Sequence, residues 1–259
     1  MAYPYRRLIK PRLGTPLNKG HSLVKGQSGC YLMNEGGKSK VYDLSGNGNT
    51  GTFVGGVLWT PGKFGSCLSF DGVSGTYVDF GKDIIPVGGS VSISAWFKTN
   101  SVTGNHYING KTIGTKYPAM ALYANKLAFA ASATAWLTTG VTTLAIDTWY
   151  HGVVVYDGTN RSVYLNGGLD NNTTGAYTFT TGLAILGGST TTTAIFNGVI
   201  DGIRFWNRAL SASEIAQHYR EPFAMFRQMP IHLMSYSVPA GGLSIPVAMA
   251  MYNRRKRST

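Results

Sequence analysis

The stretch WYHGVVVYDGTNRSVYLNG, Trp149–Gly167, decides how this chain folds. Tyr150–Tyr156 is a dense apolar run rich in valine, the composition of a central strand. Asp157-Gly158-Thr159-Asn160 supplies turn residues, and Arg161–Asn166 resumes with strand-forming side chains. Two strands joined this tightly read as a hairpin, and Asn166-Gly167 opens the next turn.

Upstream, Ser90–Lys98 (SVSISAWFK) alternates strictly: Val91, Ile93, Ala95 and Phe97 share one face, Ser92, Ser94, Trp96 and Lys98 the other. Further strands are expected at 67–71, 76–80, 119–123, 126–131, 183–187 and 199–206. Short strands punctuated by glycine turns indicate a sandwich. The expected fold is therefore all-β, an antiparallel two-sheet jelly roll with one short helix near the end of the domain. That helix starts at the capping box Ser211-Ala212-Ser213-Glu214, with Leu210 and Ile215 placed as a hydrophobic staple. It should run to about His218 and stop before Pro222. Composition agrees: of 259 residues 34 are Gly, 15 Tyr and 11 Phe, and only three are Glu.

The net charge of +12 sits at the ends. Residues 1–28 form a basic arm carrying six Lys/Arg (among them Arg6, Arg7, Lys10 and Arg12) and no acid. Residues 222–259 form a Met-, Pro- and Arg-rich tail with five, including the cluster Arg254, Arg255, Lys256 and Arg257. The body, 29–221, is nearly neutral. Such arms dock on acidic protein surfaces, nucleic acid or anionic lipid. The tail cluster attracts phosphate nonspecifically, but no aromatic platform is interleaved with it, so no specific nucleic-acid partner is expected. Cys30 and Cys67 are too few for a disulfide framework or a zinc site. Strand-like neighbours fit buried thiols, with one bridge still open if their strands adjoin. No apolar leader follows the basic start and no run approaches a membrane span, so neither export leader nor transmembrane helix is expected.

Five segments occur in order: Asp43–Gly51 (DLSGNGNTG), Gly62–Gly72 (GKFGSCLSFDG), Ser92–Phe97 (SISAWF), Trp149–Gly167 and Gly198–Ile215 (GVIDGIRFWNRALSASEI). Together they resemble the laminin-G-like, concanavalin A-like jelly-roll domains, over roughly residues 29–220. The resemblance implies structural roles for Trp96, Trp149 and Trp206. It also implies a structural calcium held by Asp43, Asn47, Asn49 and Asp201, oxygen donors of the kind that ion takes. Gly202 stands where relatives often carry an acid. The alternative is that the asparagines form a turn and Asp201 pairs with Arg204 or a backbone amide.

Some members of that family are glucanases, and glycoside hydrolysis needs two carboxylates across the bond. Here Glu214 belongs to the capping box, Glu221 lies at the body's edge and Glu35 in an early loop. The aspartates are scattered through turns, and His21, His106, His151, His218 and His232 show no zinc spacing. No catalytic residue is assigned and a non-enzymatic binding role is expected. Two settings follow. One is a virion protein, a phage capsid decoration, cement or appendage subunit. It would be present in many copies, be anchored to other virion proteins by its basic tails, and be released by lysis. Likeness to phage-encoded members of the family adds to this reading. The other is a carbohydrate-binding adhesin or lectin module for cell-surface glycans. Its platform would be Trp136, with Tyr117 or Tyr123 nearby, unless these residues simply pack.

Overall fold

The computed structural model describes residues 8–85, 89–111, 116–132, 135–180, 182–188 and 194–226. Its strands are β1 (Gln27–Tyr31), β2 (Lys40–Val41), β3 (Gly51–Val54), β4 (Leu58–Pro61), β5 (Ser66–Asp71), β6 (Tyr77–Asp79), β7 (Val91–Thr99) and β8 (His106–Tyr107). Next come β9 (Asn109–Lys111), β10 (Ala119–Tyr123), β11 (Lys126–Ser132), β12 (Ala135–Thr139), β13 (Trp149–Tyr156) and β14 (Asn160–Leu165). The last are β15 (Gly168–Thr174), β16 (Ala184–Leu186) and β17 (Asn197–Trp206), followed by helix α1 (Ala212–Arg220). The chain is all-β with one short helix, as its alternation predicts.

One layer runs β15-β14-β13-β7-β17-β5-β4, with the hairpin β13–β14 at its heart. β7 lies along the full length of one flank of β17. The other flank is shared end to end: β5 pairs with Asn197–Ile200, and β1 with Ile203–Trp206. Between them β17 bulges at Gly202, whose φ of 77° only glycine adopts without strain. The second layer joins β2-β3-β6-β16-β9 to β12-β11-β10-β8. Ile108 is the joint, its N–H donating to the Met120 carbonyl at 2.9 Å and its carbonyl accepting from Gly187 at 2.8 Å.

Between the layers lies the main core. Val91, Ile93, Ala95 and Phe97 point into it, as the period-two pattern requires, with Ile200, Ile203 and Phe205 of β17. Met120, Leu122, Leu127 and Phe129 face them from the second layer. Burying one such large side chain contributes roughly 1.5–3 kcal/mol.

The far face of the first layer is also dry. Leu23, Cys30, Val153, Val155, Trp206, Leu210, Ile215, Met225 and Phe226 form a second apolar cluster there. Residues 8–28, read from the sequence as an arm, form part of this cover. Leu23 is fully buried, and its carbonyl accepts from Trp206 Nε1 at 2.8 Å. Arg208 donates to the Ser22 and Lys25 carbonyls, and Asn18 N–H to Met225 O. Charge composition suited an arm that docks on a partner; the apolar Leu17, Leu23 and Val24 pack residues 8–28 on this domain instead. Arg12 is exposed, while Arg6, Arg7, Arg254, Arg255, Lys256 and Arg257 lie outside the described residues. Cys30 and Cys67 are buried and unbridged. Burial raises the Cys30 thiol to about 11 and the Cys67 thiol to about 12.

Candidate functional site

The second layer has an outward face of unusual make-up. In β10 and β11 the large apolar residues Met120, Leu122, Leu127 and Phe129 point inward. The alternate positions Ala119, Ala121, Ala128 and Ala130 therefore point away from the core, as strand geometry requires. A methyl group leaves room above the sheet, and four aromatic residues take it. Tyr107, across from Ala121, Tyr117, and Trp136, across from Ala130, belong to one cluster with these alanines. Trp136 stacks on Tyr123 with ring centroids 4.5 Å apart and planes 20° from parallel. It stacks on Tyr107 at 5.8 Å and 25°. Tyr117 leans on Tyr107 at 6.2 Å. The alanines are wholly covered, and Trp136 and Tyr123 remain half-exposed. Trp136, Tyr117 and Tyr123, named from the sequence as a platform, thus come together. Tyr107 was not foreseen. The signal was available in the alternation of large and small apolar residues, which gives a sheet two apolar faces.

The calcium ligands implied by the family resemblance do not assemble. Asp43 accepts from the backbone N–H groups of Cys30, Ser45 and Asn49 and from Ser45 Oγ, so both its oxygens are engaged. The amides of Asn47 and Asn49 donate to the Ser28 carbonyl at 3.2 and 2.8 Å. These three residues close a turn. Asp201 belongs elsewhere: its carboxylate is buried, accepts from Phe64 N–H at 2.9 Å, and is ion-paired with Lys10. The Lys10 ammonium also donates to the carbonyls of Met33, at 3.1 Å, and Ser66. Met33 follows β1 and Ser66 opens β5, so the ammonium fills the gap where those strands part beside β17. Burial lowers the Lys10 pKa and raises that of Asp201, and their mutual attraction opposes both shifts. Asp201 thus takes its positive counter-charge from Lys10, while Asp43, Asn47 and Asn49 bond within their own loop and to β1. Among the described residues no group of three or more His, Cys, Asp or Glu could hold a metal.

A second buried polar chain lies under α1. Arg204 donates to His218 Nε2 at 2.7 Å and to the Pro222 carbonyl at 2.9 Å. A guanidinium can only donate, so His218 carries its proton on Nδ1 and passes it toward His151 Nε2 at 2.9 Å. His151 therefore keeps its own proton on Nδ1. Burial and the Arg204 charge drive the pKa of His151 down to about 3 and that of His218 well below its usual value. Both imidazoles stay neutral and tie helix to sheet.

The family model described as the concanavalin A-like lectin/glucanases superfamily matches residues 71–216, more than half of the chain. The chain belongs to that superfamily. No curated protein sequence matches it. Similar solved structures share the fold at low identity. Domain 4 of AbnA, a GH43 extracellular arabinanase from Geobacillus stearothermophilus, in complex with arabinotriose, has a TM-score of 0.62 at 19% identity. That match covers 74% of this chain and 97% of the other. The binding domain of Paraclostridial Mosquitocidal Protein 1 gives 0.60 at 14%, covering 78% of this chain and 53% of that one. Trypanosoma rangeli sialidase in complex with sialic acid gives 0.58 at 17%, covering 77% and 33%. The concanavalin A-like domain here thus spans about half of the toxin domain and a third of the sialidase.

Within this concanavalin A-like domain Glu35, Glu214 and Asp201 have structural partners. Glu214 closes the capping box with Ser211 and forms a bidentate pair with Arg208 at 2.7 and 2.8 Å, which holds its carboxyl down at about 2. Glu35 accepts from Tyr42 N–H at 2.9 Å, and Glu221 is the C-cap residue of α1 through its backbone N–H, its side chain exposed. The fold is that of the concanavalin A-like lectins and glucanases, and on its outward aromatic face Tyr107 and Tyr117 are buried while Tyr123 and Trp136 are half-buried.

Proposed function

We propose that this chain is a non-catalytic carbohydrate-binding module that engages glycans on the outward aromatic face of β8, β10, β11 and β12. One observation carries the reading: Tyr107, Trp136 and Tyr123 form a nearly parallel stack over a floor of alanines, with Trp136 and Tyr123 partly open to solvent. Flat rings fixed on a rigid sheet offer the apolar faces of pyranose rings a pre-ordered surface, at low entropic cost. The binding-domain character of the fold supports it, as do relatives whose structures hold arabinotriose or sialic acid. The engagement of the Glu35, Glu214 and Asp201 carboxylates in turns, caps and ion pairs supports a role without hydrolysis.

The decisive measurement is a glycan array, followed by calorimetry, on the whole chain and on Trp136→Ala. Trp136 is half-buried on the rim of its cluster, so circular dichroism should verify that the variant is folded, and the folded variant should lose binding by at least tenfold. An array with no ligand, or a variant that binds as well as the parent, refutes the proposal.

A virion setting is the second reading, a phage decoration or appendage subunit displaying this face in many copies. It is favoured by the acid-free, Met- and Pro-rich stretch 227–259 with its basic end, a composition suited to burial on a partner. Mass spectrometry of purified particles should find the chain in stoichiometric copies if this is so.

A further inference from the structure

The charge around the aromatic face identifies which glycans it takes. No Asp or Glu occurs between Asp83 and Asp147, the stretch that contains β8 to β12, whereas Lys98, Lys111, Lys116 and Lys126 all lie in it. Lys126 stands directly across the β10–β11 hairpin from Tyr123. Leu127 points into the core, so Lys126 shares the outward face with Ala128, Ala130 and the ring stack. It is half-exposed and has no ion-pair partner among the described residues. The carboxylate of Asp170, on the edge strand β15 of the other layer, accepts from Thr142 N–H and Oγ.

Neutral sugars present hydroxyls that need acceptors as well as donors, and carboxylates on the protein usually supply them. This face offers none. An ammonium is a donor only, with a full charge and three protons, and its best partner beside an aromatic ring is an anionic oxygen. We infer that the face is selective for acidic oligosaccharides, whose sugar ring lies on Tyr123 and Trp136 while its carboxylate meets Lys126. The inference rests on the glycan-binding reading above and goes beyond it in naming the ligand class.

Matched probes separate the two. Calorimetry would compare 3′-sialyllactose with lactose, and tetragalacturonate with its neutral methyl ester, at low and high salt. Lys126→Ala and Trp136→Ala would be run in parallel. The expected result is at least tenfold tighter binding of the acidic member of a pair. That preference should weaken as salt rises and largely vanish in Lys126→Ala, while Trp136→Ala weakens binding at every salt concentration. Equal binding of acidic and neutral members, lost in Trp136→Ala and untouched in Lys126→Ala, overturns the charge selectivity and leaves the glycan site standing. Binding of none of the four, with none on the array, overturns both. Lys126 is at a hairpin end and half-exposed, so an unchanged melting temperature certifies that the variant is folded.

Discussion

Lys10 and Asp201 each give up water for a site whose other polar atoms are mostly backbone. Removing one partner strands the other. Lys10→Met is therefore expected to destabilise the domain by about 3–5 kcal/mol, and the double variant Lys10→Met/Asp201→Leu to recover part of that loss. Denaturant titrations of the four-member cycle check this; additive single effects would refute the coupling. The paired histidines make a second prediction. His151 and His218 are neutral in the fold and titrate near 6.5 when unfolded. Below that value the unfolded chain binds more protons, so stability falls as pH drops from 6.5 toward 3. The slope is up to about 1.4 kcal/mol per pH unit for each ring. A flat unfolding midpoint between pH 6.5 and 4.5 contradicts it. Of these residues the sequence revealed little. His151 was legible as a structural strand residue, but Lys10 in a Pro- and Gly-rich basic stretch looks solvated. Its burial depends on a gap in a sheet whose strands are distant in the chain. Trp136 could be named because it stands in a Thr/Ala-rich stretch outside the shared motifs, with Tyr117 and Tyr123 nearby in the chain. That they meet follows from register, which local pattern does not give.

At the scale of elements, alternation read β7 and a dense apolar run read β13 nearly to the residue, and β10 and β11 were placed as closely, because each packs large apolar side chains on the core. β15 (GLDNNTT) escaped because an edge strand bonded on one side carries polar side chains on both faces. β8, β9 and β2 are too short for any period to show. The helix was foreseen from chemistry rather than periodicity: Ser211 Oγ accepts from Glu214 N–H, and Glu214 reaches back to Ser211 N–H at 3.0 Å. It extends two residues past His218 to Arg220. Ser211→Ala should cost about 1 kcal/mol, read as a lower denaturant midpoint with unchanged slope. A null effect would mean that Arg208 alone holds Glu214 and the helix start.

For the molecule as a whole, a lysine in place of a metal at Asp201 predicts indifference to chelators. The melting temperature in EDTA should match that in millimolar calcium to within a degree. A rise with calcium would restore a bound ion at the Asp43 loop. The buried arm also orders events in time. Lys10 leaves the ribosome long before Asp201 exists, and until then its ammonium has no carboxylate to meet. The cleft between β1 and β5 can close only after β17 has been synthesised and threaded between its neighbours. Docking of residues 8–28 thus waits for β17, so a nascent chain stalled before residue 201 should remain open to proteases within that segment.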